Sequence, residues 1–119
     1  MAYDIQMTPV FAPLERVEAG KLADECKEPW WNRTLCQVND SLVRLGVFLG
    51  EFHWHKHDRE DEYFHVVEGK LLLDLEGRTV ELGPRQGFMV PKGVVHRTRA
   101  EVRTVVLMIE AATVTPTGD

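Results

Sequence analysis

The 119-residue chain has only two cysteines, no apolar run long enough to cross a bilayer and no cluster of basic residues. Each of these shortages excludes something. Cys26 and Cys36 are not in a C-x-x-C pattern and could close at most one bridge, which rules out a disulfide scaffold and points to two reduced thiols. A membrane span needs ~18–20 apolar residues, and the opening MAYDIQMTPV lacks the basic and then apolar regions of a secretion signal. The expectation is a cytoplasmic protein with no membrane partner. Lysines and arginines are scattered singly in a chain of formal net charge -5, so the electrostatic footprint required by a phosphate backbone is missing and nucleic acid is not an expected partner.

What is present is an ordinary folding composition, 44% hydrophobic and 28% charged, in a length that buries one core. Residues 1–32 read as an N-terminal arm or lid: Pro9, Pro13 and Pro29 break any long helix, although FAPLERVEAGKLADE can hold one short turn. From Arg33 to Asp119 the character is that of one antiparallel all-β domain. Short apolar runs alternate with polar positions, and turn residues recur. Strands are expected at 33–38, 42–55, 62–68, 70–76, 78–82, 87–91, 94–99 and 103–110, closed into a sandwich or barrel. Glu76-Gly77 predicts a tight hairpin, and Glu68-Gly69 the same one strand earlier, because glycine accepts the positive φ of two-residue turns. The tail TVTPTGD is polar, carries Pro116, and reads as frayed or draped on the surface.

Chemistry concentrates in HWHKHDREDEYFHVVEGK. His55 and His57 are two apart in a strand context, so their side chains leave on one face ~6.5–7 Å apart and can converge on one ion. Glu62 follows the four-residue turn DRED and comes back alongside them. His96 lies just after VPKG, where Pro91 and Gly93 turn the chain into VVHRTRA, with Val94, His96 and Thr98 on its inward face. Taken alone, an H-x-H pair is usually two unremarkable histidines, and Asp58, Glu60, Asp61 and Glu62 a solvated loop. The conjunction of spacings argues for a metal held by His55, His57, Glu62 and His96.

These residues resemble the two motifs of the cupin family, G-x5-H-x-H-x3,4-E-x6-G and G-x5-P-x-G-x2-H-x3-N, over about residues 33–110. By position, His55, His57, Glu62 and His96 match the motif ligands, and Gly69, Pro91 and Gly93 match turn positions. The resemblance implies a cupin β-barrel (a double-stranded β-helix, or jelly roll) with a metal at its centre and, commonly, a homodimer. The final TGD is similar to the end of small bacterial cupins labelled mannose-6-phosphate isomerase-like, yet a phosphosugar enzyme should show a basic phosphate clamp and none is legible. Three positions depart from the motifs: Gly50 is one residue too close to His55, Arg85 replaces a glycine, and Ala100 replaces asparagine.

Three imidazoles and a carboxylate suit one divalent transition metal (Mn, Fe, Ni, Co, Cu or Zn) and suit calcium or magnesium poorly. His53 shares a face with His55 and His57 if the strand stays regular; it is then a candidate cofactor-binding or substrate contact, the alternative being a histidine at the barrel rim. His65 falls on the opposite face. Glu51 and Tyr63 are acid–base candidates by proximity alone. In RLGVFLGEFHWH the ligand-side parity carries Leu45, Val47 and Leu49 and the other parity Phe48, Phe52 and Trp54, so both faces need cover, from the arm with Trp30 and Trp31 or from a second subunit. Two functions stay open. One is a metal-dependent enzyme acting on a small oxygenated metabolite by dioxygenase, isomerase or decarboxylase chemistry; the other is a non-catalytic sugar or metabolite binder.

Overall fold

The computed structural model describes residues 3–119 as eight strands and one short helix. In chain order these are β1 (Asp4–Pro9), α1 (Ala19–Asp24), β2 (Trp30–Val38), β3 (Ser41–Glu51), β4 (Glu62–Glu68), β5 (Leu71–Leu75), β6 (Arg78–Leu82), β7 (Gly87–Val90) and β8 (His96–Ala111). No helix among the described residues is long and apolar enough to cross a membrane.

β8 organises the fold. Where two strands were expected, at 94–99 and 103–110, one 16-residue strand runs unbroken. One edge pairs antiparallel with β3 along its whole length. The other edge is shared: His96–Arg99 pair with β5, and Val105–Glu110 pair with β4. β6 and β7 extend these two branches, and β2 and β1 extend the sheet beyond β3. The ladders on both edges of β8 shift register near its middle. Phe48 pairs with Thr104 but Gly50 with Ala100, so β8 carries extra residues there, and Gly50 takes φ 97°. Such bulges bend a strand and let a sheet close on a core.

Gly69 belongs to the same corner, which corrects the hairpin expected at Glu68-Gly69. β4 and β5 run in the same direction along β8 and do not pair with each other. At φ 89° Gly69 makes a kink, and a Cβ there would lie 2.6 Å from Thr104 Oγ1 and 2.7 Å from the Arg103 carbonyl oxygen. The Glu76-Gly77 hairpin is present, with Leu75 paired to Arg78.

The barrel interior holds Trp30, Phe48, Phe52, Phe64, Leu71, Leu73 and Val106. The outer face of β3 carries Leu45 and Val47, packed with Trp31, Val105 and Ala23 of α1. This reverses the expected parity, which put Leu45 and Val47 on the ligand side and Phe48 and Phe52 opposite. Within β3 alternation holds, with Phe48 and Phe52 inward at one parity; the regular strand stops at Glu51, so His55 comes inward at the other parity only after the chain has left the ladder. The N-terminal segment supplies the cover over that outer face. It is also more than an arm in its local structure, because β1 pairs parallel with β2 and β2 begins at Trp30.

Candidate metal centre

Four side chains from three places in the chain meet at one end of the barrel. His55 follows β3 and is tied back by a two-way bridge to His96, each N–H donating to the other's carbonyl at 2.9 Å. His57 sits on the next turn, its carbonyl accepting from Gly93 N–H at 2.8 Å. Glu62 opens β4 and His96 opens β8. One potential ligand atom from each of His55, His57, Glu62 and His96 lies within 4.8 Å of all the others. The spacing expectation therefore brings together the intended four.

The hydrogen bonds dictate which nitrogens face inward. Nδ1 of His55 lies 3.0 Å from the His53 carbonyl, and Nδ1 of His96 lies 2.9 Å from the Val94 carbonyl. A carbonyl only accepts, so both Nδ1 atoms carry the proton and both Nε2 lone pairs point at the cluster. His96 Nε2 then stands 3.3 Å from Glu62 Oε1, and His57 Nε2 stands 3.5 Å from the same oxygen. The His96 Nε2 lone pair thus faces a carboxylate oxygen between side chains 1% and 9% exposed, an arrangement that a proton or a metal cation between them relieves. Both nitrogens of His57 are buried without a hydrogen-bond partner.

Electrostatics agree with that arrangement. Burial pushes the pKa of His55 down to about 4, which keeps the imidazole neutral and free to ligate. At His57 burial opposes protonation, but the Glu62 carboxylate, with Asp119 and Glu60 behind it, raises the pKa. Burial favours the neutral acid at Glu62, yet His57 and His96 outweigh it and hold this carboxyl below the usual range. Glu110 takes the opposite course: burial and then the neighbouring Glu62 charge push it up. Arg44, also 1% exposed, balances this pair by donating to Glu110 at 3.3 Å, to Thr34 Oγ1 and to Asn32 Oδ1. A cavity of about 30 Å³ opens between these groups, walled by Trp30, Phe48, Phe52 and Phe64.

Other expected residues fall elsewhere. His53 is exposed, stacks on Phe52 and bonds through Nε2 to the Thr117 carbonyl at 2.7 Å, outside the group of four. Tyr63 and His65 pair with each other at 2.8 Å on the face of β4 away from Glu62. Glu51 is exposed and bonded to Arg97. Neither acid–base candidate faces the cluster. Arg78, Arg97 and Arg99 gather on the outer surface around Asp74, with the Arg97 and Arg99 guanidiniums bonded to its carboxylate. Missed by the sequence reading were Arg44 and Glu110, whose only signal is a charge at inward parity on an otherwise apolar strand, and Glu60, buried within a loop expected to be solvated.

Comparison with known proteins agrees with the geometry. Residues 48–110 match the cupin domain family. The chain belongs to the cupin family. A relative, YdbB of Bacillus subtilis strain 168, is 48% identical over 90 residues, covering 75% of this chain and 80% of that protein. Polyketide synthase CurC of Streptomyces cyaneus is 44% identical over 59 residues, 50% of this chain and 36% of that protein. Among solved structures, a cupin-2 domain protein from Shewanella frigidimarina superposes with a TM-score of 0.76 at 28% identity, covering 80% of this chain and 93% of that one. Of the departures from the cupin motifs, Arg85 adopts φ 69°, the conformation a glycine would take there without strain.

Proposed function

We propose that His55, His57, Glu62 and His96 hold one divalent transition metal ion, and that the chain acts through it on a small oxygenated metabolite. The carrying observation is the convergence of one ligand atom from each of these four side chains, with Nδ1 of His55 and His96 turned to backbone carbonyls and both nitrogens of buried His57 without a hydrogen-bond partner. The bound ion would supply Lewis acidity and, if octahedral, two open positions for a chelating ligand. The aromatic walls orient an apolar portion of that ligand and exclude water, and Arg44 and Glu110 hold the polar floor. The likeness to a protein named polyketide synthase CurC supports a ligand with oxygens close enough to grip one ion, such as a 1,3-dicarbonyl. The reaction class is oxygenation, isomerisation or decarboxylation.

A second reading, capture of a sugar or metabolite without turnover, is favoured by the placement of Glu51 and Tyr63, which leaves no acid–base candidate of the sequence facing the cluster. Elemental analysis of protein purified without added metal should return one transition metal per chain, and none at all would sink both readings. Oxygen uptake or product formation with 1,3-dicarbonyls or vicinal diols supports the enzyme. Tight ligand binding without turnover supports the binder.

The same reading includes a homodimer in the cytoplasm. Met89 and Ile109, 48% and 45% exposed, flank Tyr63 in register on the outer face of β7, β4 and β8, and such apolar stripes mark interfaces. Sedimentation equilibrium should give twice the chain mass, and a Met89→Lys variant should give the monomer.

A further inference from the structure

Behind the ligand set lie two carboxylates that the metal does not need. His55 and His96 each have Nδ1 tied to a backbone carbonyl, whereas His57, on an imidazole 2% exposed, has no such partner. Yet Glu60 and Asp119 each bring a carboxylate oxygen into one group with a His57 nitrogen, all within 4.8 Å. Both carboxylates are themselves held in place. Glu60, 8% exposed, accepts from the Thr113 hydroxyl at 2.8 Å, and Asp119 Oδ2 accepts from Asp58 N–H at 2.6 Å. Each bond engages one oxygen and leaves the other free.

The segment carrying Asp119 is not draped at random, contrary to the expectation for TVTPTGD. Thr117 accepts from His53 Nε2 at 2.7 Å, and Asp119 N–H donates to the Lys56 carbonyl at 2.9 Å. Between them Gly118 takes φ 95° so close to the ligand strand that a Cβ would stand 2.6 Å from His55 Cβ. His53, which has no place in the ligand set, therefore has a place in a latch.

We infer that Glu60 and Asp119 are positioning residues for His57, accepting its Nδ1–H so that Nε2 is presented to the ion, and that residues 115–119 are latched to the ligand strand to keep Asp119 there. This rests on the metal-centre reading given above. The chemical reason is general: a carboxylate behind a ligating imidazole fixes its tautomer and ring angle and raises its basicity.

Two measurements decide the inference. In titration calorimetry with Mn2+ or Zn2+, Glu60→Gln with Asp119→Asn should weaken binding by about 10–100-fold. Glu81→Gln, which removes an exposed carboxylate of β6 paired with Lys70, should leave binding unchanged. Unaltered affinity in the double variant would overturn the inference. So would a wild-type stoichiometry of two ions that falls to one in the variant, because His57 Nδ1 would then be a second ligand. The second measurement needs neither a metal nor a variant: nitrogen-15 NMR of the metal-free wild type, at alkaline pH where the ring is neutral, should show His57 as the Nδ1–H tautomer. An Nε2–H tautomer overturns the orientation role. If the wild type binds no ion, the metal reading fails while the tautomer still decides this one.

Discussion

At the scale of single residues, position on a strand separates histidines that look alike in the sequence. His57→Ala removes an imidazole facing Glu62 and should lower metal affinity by more than about 100-fold, beyond the loss expected for an outer partner. His65→Ala breaks only a surface bond to Tyr63 and should leave affinity nearly unchanged, so equal metal retention in the two variants would refute the ligand assignment. Arg85 offers a test independent of metal. A non-glycine residue at φ 69° carries about 1–2 kcal/mol of strain. Glycine relieves this at some entropic cost, so Arg85→Gly should raise the urea midpoint by a net gain of up to about 1 kcal/mol. The convergence of His55, His57, Glu62 and His96 was legible because a two-residue period and motif spacing are local facts; the burial of Glu60 was not, since it depends on Thr113, 53 positions away.

At the scale of elements, the long bent strand β8 explains two features that alternation and turn chemistry misread. A bend without a break looks like two strands in sequence, and a glycine at φ 89° looks like a hairpin whether or not its flanking strands pair. Gly69→Ala should destabilise the fold by about 2–4 kcal/mol in urea unfolding, because it adds left-handed strain to a clash with the Arg103 backbone. The β5–β6–β8 branch has its own lock in Asp74. The bonds from Arg99, with those from Thr79 and Arg97, outweigh burial and hold its carboxyl well below the usual carboxylate range. A depressed folded-state pKa adds stability above the unfolded value, near pH 4, and that stability is lost as pH falls through the folded value. Asp74→Asn should therefore cost about 1–3 kcal/mol at neutral pH, with the gap between variant and wild type closing below pH ~4 in acid titrations of the melting temperature.

At the scale of the whole molecule, a metal held as proposed would link the starts of β4 and β8 to the segment after β3, so its free energy of binding would also be folding free energy. An ion at 100 times its Kd adds about 2.7 kcal/mol, which in a chain of this size should raise Tm by on the order of 10 °C. A chelator should reverse the shift, and the His57→Ala variant should show none.

The sequence by itself determined the all-β class, most strand positions and which four metal-ligating side chain types come together, because alternation, turn chemistry and motif spacing act over a few residues. Tertiary structure alone decided which face of β3 is the interior, since the regular strand ends at Glu51 and the chain beyond it does not carry the parity of β3 on to His55. It also decided that His53 serves a latch, that Arg44 and Glu110 meet across 66 positions, and that Asp119 lies behind His57. Those juxtapositions arise from strands paired far apart in the chain, and no local period encodes which distant strand a residue will face.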